Sequence, residues 1–142
     1  MENSATLQWV KGLVNTETIV THRINRVLKE TGLSLHEMHL LGLLNNSENY
    51  ALLASEISSM MYVQKSVTTH RVKTLEALGA VVRHPVASDR RRTIIVLTAK
   101  GRRAYEIAKH VAETETRKIQ THLSKTAIDT LASLNNVTEN LT

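Results

Sequence analysis

Apolar residues recur at Leu7, Val10, Val14, Val20, Ile24, Val27 and Leu28, close to three-four spacing, and predict a long helix over residues 6–30. Gly12 and the threonines between positions 16 and 21 weaken it locally, because glycine and β-branched residues cost helix propensity; Gly32 ends it. Ser34 and Glu37 have the spacing of a capping box, whose side chains satisfy the free N–H groups of a helix start. The helix they open runs to about Leu44 and turns Met38, Leu41 and Leu44 inward, and the polar run 45–49 breaks it. Leu53, Ala54, Ile57 and Met61 then suit a short helix of about two and a half turns. After a break near Tyr62, a second helix runs roughly from Gln64 to Leu78, closed by Gly79 as a left-handed C-cap. Two short helices with a tight turn between them outline a helix-turn-helix, here with Tyr62 where glycine is common.

Beyond Gly79 the period changes. Residues 80–86 and 93–97 are β-rich and are separated by 87–92, which predicts a two-stranded hairpin with a basic tip. Pro85, lacking an N–H, fits an edge or a strand end. Thr98 caps another long helix, to about His122, with Ala104, Ala108 and Val111 on one face. A last helix from about Ser124 carries Ile128, Leu131, Leu134 and Leu141. The expected fold is therefore mainly α (α+β): a winged helix-turn-helix with a small β-hairpin wing, flanked by long N- and C-terminal helices. Residues 1–142 form one domain, with a winged core at 33–103 and terminal arms at 1–32 and 104–142. The arms carry more apolar face than so small a core can cover, and a second copy is the simplest partner, so a homodimer is expected.

Composition narrows the function. The 142 residues are 42% hydrophobic, enough for a core without staples. The absence of cysteine excludes disulfides, thiolate metal sites and thiol switches. No apolar run approaches the ~18 residues that span a bilayer, and the N-terminus lacks a secretory stretch, so a soluble, cytoplasmic protein without membrane contact is expected. The net charge of +5 is unevenly spread: residues 63–103 hold ten Lys/Arg against Glu76 and Asp89, a local +8, and the rest of the chain carries −3. A basic segment in a neutral-to-acidic body is the footprint of a polyanion binder.

The second helix of the helix-turn-helix supplies the chemistry for such a partner. Gln64, Lys65, Ser66, Thr69, His70 and Lys73 are polar or basic, while Val72, Leu75 and Leu78 supply the packed side. In a major groove Lys65 and His70 reach guanine acceptors, Gln64 pairs with adenine, and Ser66 or Thr69 bind phosphates or bases. Arg71 falls near the buried edge, where it either snorkels or reaches a phosphate. Arg90, Arg91 and Arg92 crowd the hairpin tip, where a narrow minor groove attracts arginine, and Asp89 can pair with one of them and fix its direction. No nucleophile-and-base set or phosphate-cradling glycine loop is present, so an enzyme is not expected, and neither is a cofactor. His36 and His39 lie three apart, but no further metal ligands accompany them.

Arg83-x-Pro85-x-x-x-Asp89-Arg-Arg91, followed by Ile95-x-Leu97-Thr98-x-x-Gly101, resembles the signature of the multiple antibiotic resistance regulator (MarR) family. Glu56-Ile-Ser58, Ser66-x-x-Thr69 and Leu75-Glu-x-x-Gly79 fall in register with that family's helix-turn-helix. The resemblance implies a dimeric winged-helix transcription factor, commonly a repressor. Its terminal helices would dimerise, its recognition helix would enter the major groove and its wing the minor groove. By position Arg91 is then the wing-tip arginine and Asp89 its orienting partner, with Ser66, Thr69 and His70 facing DNA. His70 stands where the family often has arginine. The resemblance also implies release of DNA by a small-molecule effector, often phenolic, as one route of control. The reading is thus a sequence-specific regulator of double-stranded DNA acting on a pseudo-palindrome. Its alternatives are a protein–protein module docking an acidic partner and a non-specific architectural DNA-binding protein.

Overall fold

In a computed structural model the described residues, 5–138, form six α-helices and one three-stranded antiparallel sheet. Helix α1 (Ala5–Leu28) passes into a 3-10 turn that Gly32 closes in the left-handed region, at φ 74°. The expected capping box starts α2 (Leu35–Asn45): Glu37 N donates to Ser34 Oγ at 3.3 Å, and Ser34 N donates to Glu37 Oε2 at 2.8 Å. Asn25 ties the two helices together by accepting the Leu35 N–H at 2.7 Å. Leu40, Leu41 and Leu44 are sealed in the core, whereas Met38 is only half-buried.

One strand escapes the sequence pattern. Ala51–Leu53 is β1, not the start of the next helix, and it pairs with Ile94–Val96 to give the order β1-β3-β2. The expected two-stranded hairpin is therefore a three-stranded sheet, and α3 (Ala54–Met60) is shorter than the periodicity suggests. Three residues carry too little pattern of their own; pairing with β3 makes them a strand. Helix α4 (Lys65–Ala77) follows a turn in which Tyr62 takes φ 53°, the conformation a glycine would adopt more easily. Gly79, at φ 70°, closes α4 as expected.

Strand β2 (Val81–Val86) is an edge, which suits Pro85, and turns at Ala87 and Ser88 into β3 (Asp89–Leu97). Thr98 then caps α5 (Ala99–Gln120), accepting the Gly101 N–H at 2.9 Å and donating to the Gly79 carbonyl at 2.7 Å. A Cβ on Gly101 would collide with the Ala80 carbonyl, so glycine lets α5 start directly against the root of the wing. On α5 Ala108 and Ala112 are buried, while Val111 is half-buried. Arg23 on α1 donates from Nε and Nη2 to Glu115 Oε1, at 3.0 and 2.7 Å. Helix α6 (Lys125–Thr138) begins at the Ser124 cap and packs hardly at all against the rest of the described chain. Leu141, expected on its apolar face, lies outside the described residues.

Candidate nucleic-acid interface

Helix α4 owes its orientation to a buried polar contact. Ser58 of α3 and Thr68 of α4 are 8% and 1% exposed, and their hydroxyls meet at 2.7 Å. Ser58 also donates to the Ala54 carbonyl at 3.0 Å, which leaves Thr68 as the donor between them. With Val72 and Leu75, Thr68 forms the packed side of the helix. Leu78, expected there, is the C-cap just past the end of the helix and is 36% exposed. A threonine among polar neighbours looks like surface in sequence, and its four- and seven-residue spacing to Val72 and Leu75 is the signal that places it on the packed side.

The opposite side of α4 is open. Lys65, Ser66, Thr69, His70 and Lys73 are exposed, and Gln64, which proves to be the N-cap, precedes them on the same surface. The Thr69 hydroxyl donates to the Lys65 carbonyl at 2.9 Å, so it offers a ligand a methyl group and a lone pair instead of a proton. Arg71 is half-buried, with Nη1 4.0 Å from Met61 Sδ, so it lies along apolar surface as a snorkelling side chain does.

In the wing, Arg90, Arg91 and Arg92 are not on a loop. They belong to β3, and the turn is only two residues long. Pro85 pairs with Thr93 and Val86 with Asp89, so the three arginines fall opposite a single step of β2 and bulge from the ladder. Proline cannot donate to the ladder, which explains why it breaks there. All three arginines are exposed. Asp89 Oδ1 accepts the Arg91 backbone N–H at 3.0 Å and Nε at 3.3 Å, while the Arg91 side chain stays 93% exposed. The carboxylate aims the guanidinium without covering it.

Glu76 ties the wing to α4, accepting from Arg83 Nε at 2.9 Å. Both carboxylates of the 63–103 segment are thus held by arginines of the same segment, and the side chains of Lys65, Lys73, Arg90 and Arg92 have no hydrogen-bond or ion-pair partner within the described chain. The surface joining α4 and the wing is therefore strongly electropositive.

A separate cavity of about 600 Å³ opens between α1, α2 and α5, walled by Val20, Leu35, Met38, His39, Gly42 and Tyr105. A Cβ on Gly42 would stand 3.1 Å from the Tyr105 ring, so glycine gives the tyrosine its place. Desolvation, then the nearby His36 and Arg71 charges, hold the His39 pKa below the ordinary histidine value. Among the described residues no three His, Cys, Asp or Glu side chains group as metal ligands, and no helix is long and apolar enough to cross a membrane.

Residues 31–92 match a family model described as MarR family. A curated relative, the uncharacterized HTH-type transcriptional regulator YdgJ of Bacillus subtilis (strain 168), is 28% identical over 78% of this chain and 69% of its own. Among solved structures, Sco3205, a MarR family transcriptional regulator from Streptomyces coelicolor in complex with DNA, superposes with a TM-score of 0.83 at 21% identity, over 98% of this chain and 89% of that one. CouR from Rhodococcus jostii RHA1, bound to p-coumaroyl-CoA, gives 0.73 at 25% identity, over 86% and 87%.

Proposed function

We propose that this winged-helix protein is a member of the MarR family and a sequence-specific transcriptional regulator of double-stranded DNA, a repressor acting as a homodimer on a pseudo-palindromic operator. One observation carries this reading: the exposed polar face of α4 and the Asp89-aimed Arg91 share one surface from which no carboxylate projects free. Gln64, Ser66, Thr69, His70 and Lys73 serve the major groove, and Arg90 and Arg91 the minor groove. Sco3205, which shares the fold, was solved in complex with DNA, and this supports DNA as the partner.

The arms support the homodimer. Trp9, Val10, Val14 and Ile19 on α1 are 42–60% exposed, Ile107 on α5 is 61% and Leu131 on α6 is 39% exposed, and a second copy would cover such surface. Two-fold symmetry sets the recognition helices about one DNA turn, roughly 34 Å, apart. The apolar cavity beneath α2 receives the effector whose binding releases DNA; CouR binds an aromatic thioester in the same fold.

The test is selection of bound fragments from the source genome at physiological salt, with Arg91→Ala run beside the unaltered chain. One inverted repeat should be recovered, with affinity falling steeply as salt rises. Arg91→Ala should weaken binding by about 1–3 kcal/mol, the cost of one good groove contact, with dimer mass and folding unchanged. Fragments lacking a common motif would point to an architectural protein, and no fragments at all to a module that docks an acidic protein.

A further inference from the structure

Between α3, the start of α4 and the returning strand of the wing lies a polar cleft of about 260 Å³, lined by Ser55, Lys65, Thr69, Arg91, Arg92 and Thr93. Its hydroxyls divide into two groups. Ser58 and Thr68 at its floor are bonded to each other, and Thr69 donates to its own helix. The side chains of Ser55, Lys65, Arg92 and Thr93 make no hydrogen bond or ion pair within the described chain. Two cations and two hydroxyls with unused protons therefore meet in one cleft, and no carboxylate lines it.

We propose that this cleft seats one backbone phosphate of the DNA, so that Lys65 and Arg92 grip the strand where it passes from major to minor groove and read no bases. The proposal rests on the DNA-binding reading and changes the part Lys65 plays in it, since the sequence equally allowed that lysine to reach guanine. A phosphate accepts from ammonium, guanidinium and hydroxyl alike, which suits the donor set. Seating is also geometric: the cleft is shared by the helix-turn-helix and the wing, so one phosphate fixes the register of both on the duplex. Arg91, at the edge of the same cleft, is held by Asp89 and stays 93% exposed, which leaves its guanidinium available to the groove.

The experiment uses the full-length dimer and the duplex recovered from the genomic selection. Single neutral methylphosphonates are scanned along its backbone against the unaltered chain, Lys65→Ala, Arg92→Ala, Thr93→Val and the double variant K65A/R92A. One position per half-site should weaken the unaltered chain about ten-fold or more. K65A should bind all sequence variants of the site more weakly by one common factor, with a slope of log affinity against log salt shallower by about one. At the sensitive position K65A and R92A should lose little more, and the double variant should lose less than the product of the two single losses. A changed base preference in K65A, or undiminished sensitivity of K65A at that same phosphate, overturns the seat while leaving DNA recognition intact. An unaltered chain that binds no duplex overturns the parent reading and the seat with it.

Discussion

In the winged core Leu40, Leu41, Leu44, Ile57, Leu75 and Ile95 keep no more than 1% of their surface, whereas along α1 Trp9, Val10, Val14 and Ile19 keep 42–60% of theirs. The helices of both regions are written in the same three-four repeat. In the core the repeat meets partners from α2, α3, α4 and the sheet, all supplied by one chain. In the arms the C-terminal half of α1, through Ile24 and Leu28, and α5, through Ala108 and Ala112, find such partners. An amphipathic pattern thus states that a face will be covered and leaves open by what.

The comparison breaks most sharply at Leu41. Leu41→Ala should cost about 2–5 kcal/mol in urea unfolding, since it removes a sealed side chain and leaves a cavity. That is a large share of a typical domain's stability and should not depend on protein concentration. The paired change Trp9→Ala and Val14→Ala should behave in the opposite way. Unfolding of the dilute chain should move by no more than about 0.5 kcal/mol, as for open surface positions. The dissociation constant of the proposed dimer, read by sedimentation, should rise at least ten-fold, about 1.4 kcal/mol. A loss equal to that of Leu41→Ala in dilute chain would make the arm part of the core.

The ion pair that joins the two arms, α1 to α5, sharpens the contrast more gently. The bonds from Arg23 to the buried Glu115, with Lys118 Nζ at 3.6 Å, hold that carboxyl below the ordinary carboxylate range. Its folded pKa is lower than the unfolded value of 4.5, so its contribution is whole above that value and is lost as pH falls through the folded one. The unaltered chain should therefore be more stable than Glu115→Gln near neutrality, and the two urea midpoints should converge in acid. A gap independent of pH would assign the effect to packing alone.

Local hydrogen bonding made much of this molecule readable in advance. The Ser34–Glu37 box, the Thr98 cap and the left-handed Gly32 and Gly79 depend on residues a few positions apart, and all stand where the sequence places them. Asp89 pairs with one wing arginine, as its chemistry allows, and the one it takes is Arg91, as the family resemblance implies. The misses are non-local. Ala51–Leu53 is a strand through bonds to residues more than 40 positions on, and Thr68 is core through Ser58 on another helix. Arg90, Arg91 and Arg92 read as a loop because charge masks a strand whose extent is set by Val86 opposite Asp89.

The sequence by itself determined the order of helices, the hairpin, the concentration of charge and the residues able to meet a polyanion, because period, caps and side-chain chemistry are properties of neighbours along a chain. Tertiary structure decided which donors remained free. Packing Ser58 on Thr68 consumed two hydroxyls, and Glu76 and Asp89 each took an arginine. The returning strand brought Arg92 and Thr93 to the same cleft as Ser55 and Lys65. A charge count is fixed by composition, but the field at a point depends on which charges three-dimensional packing leaves unpaired and close together.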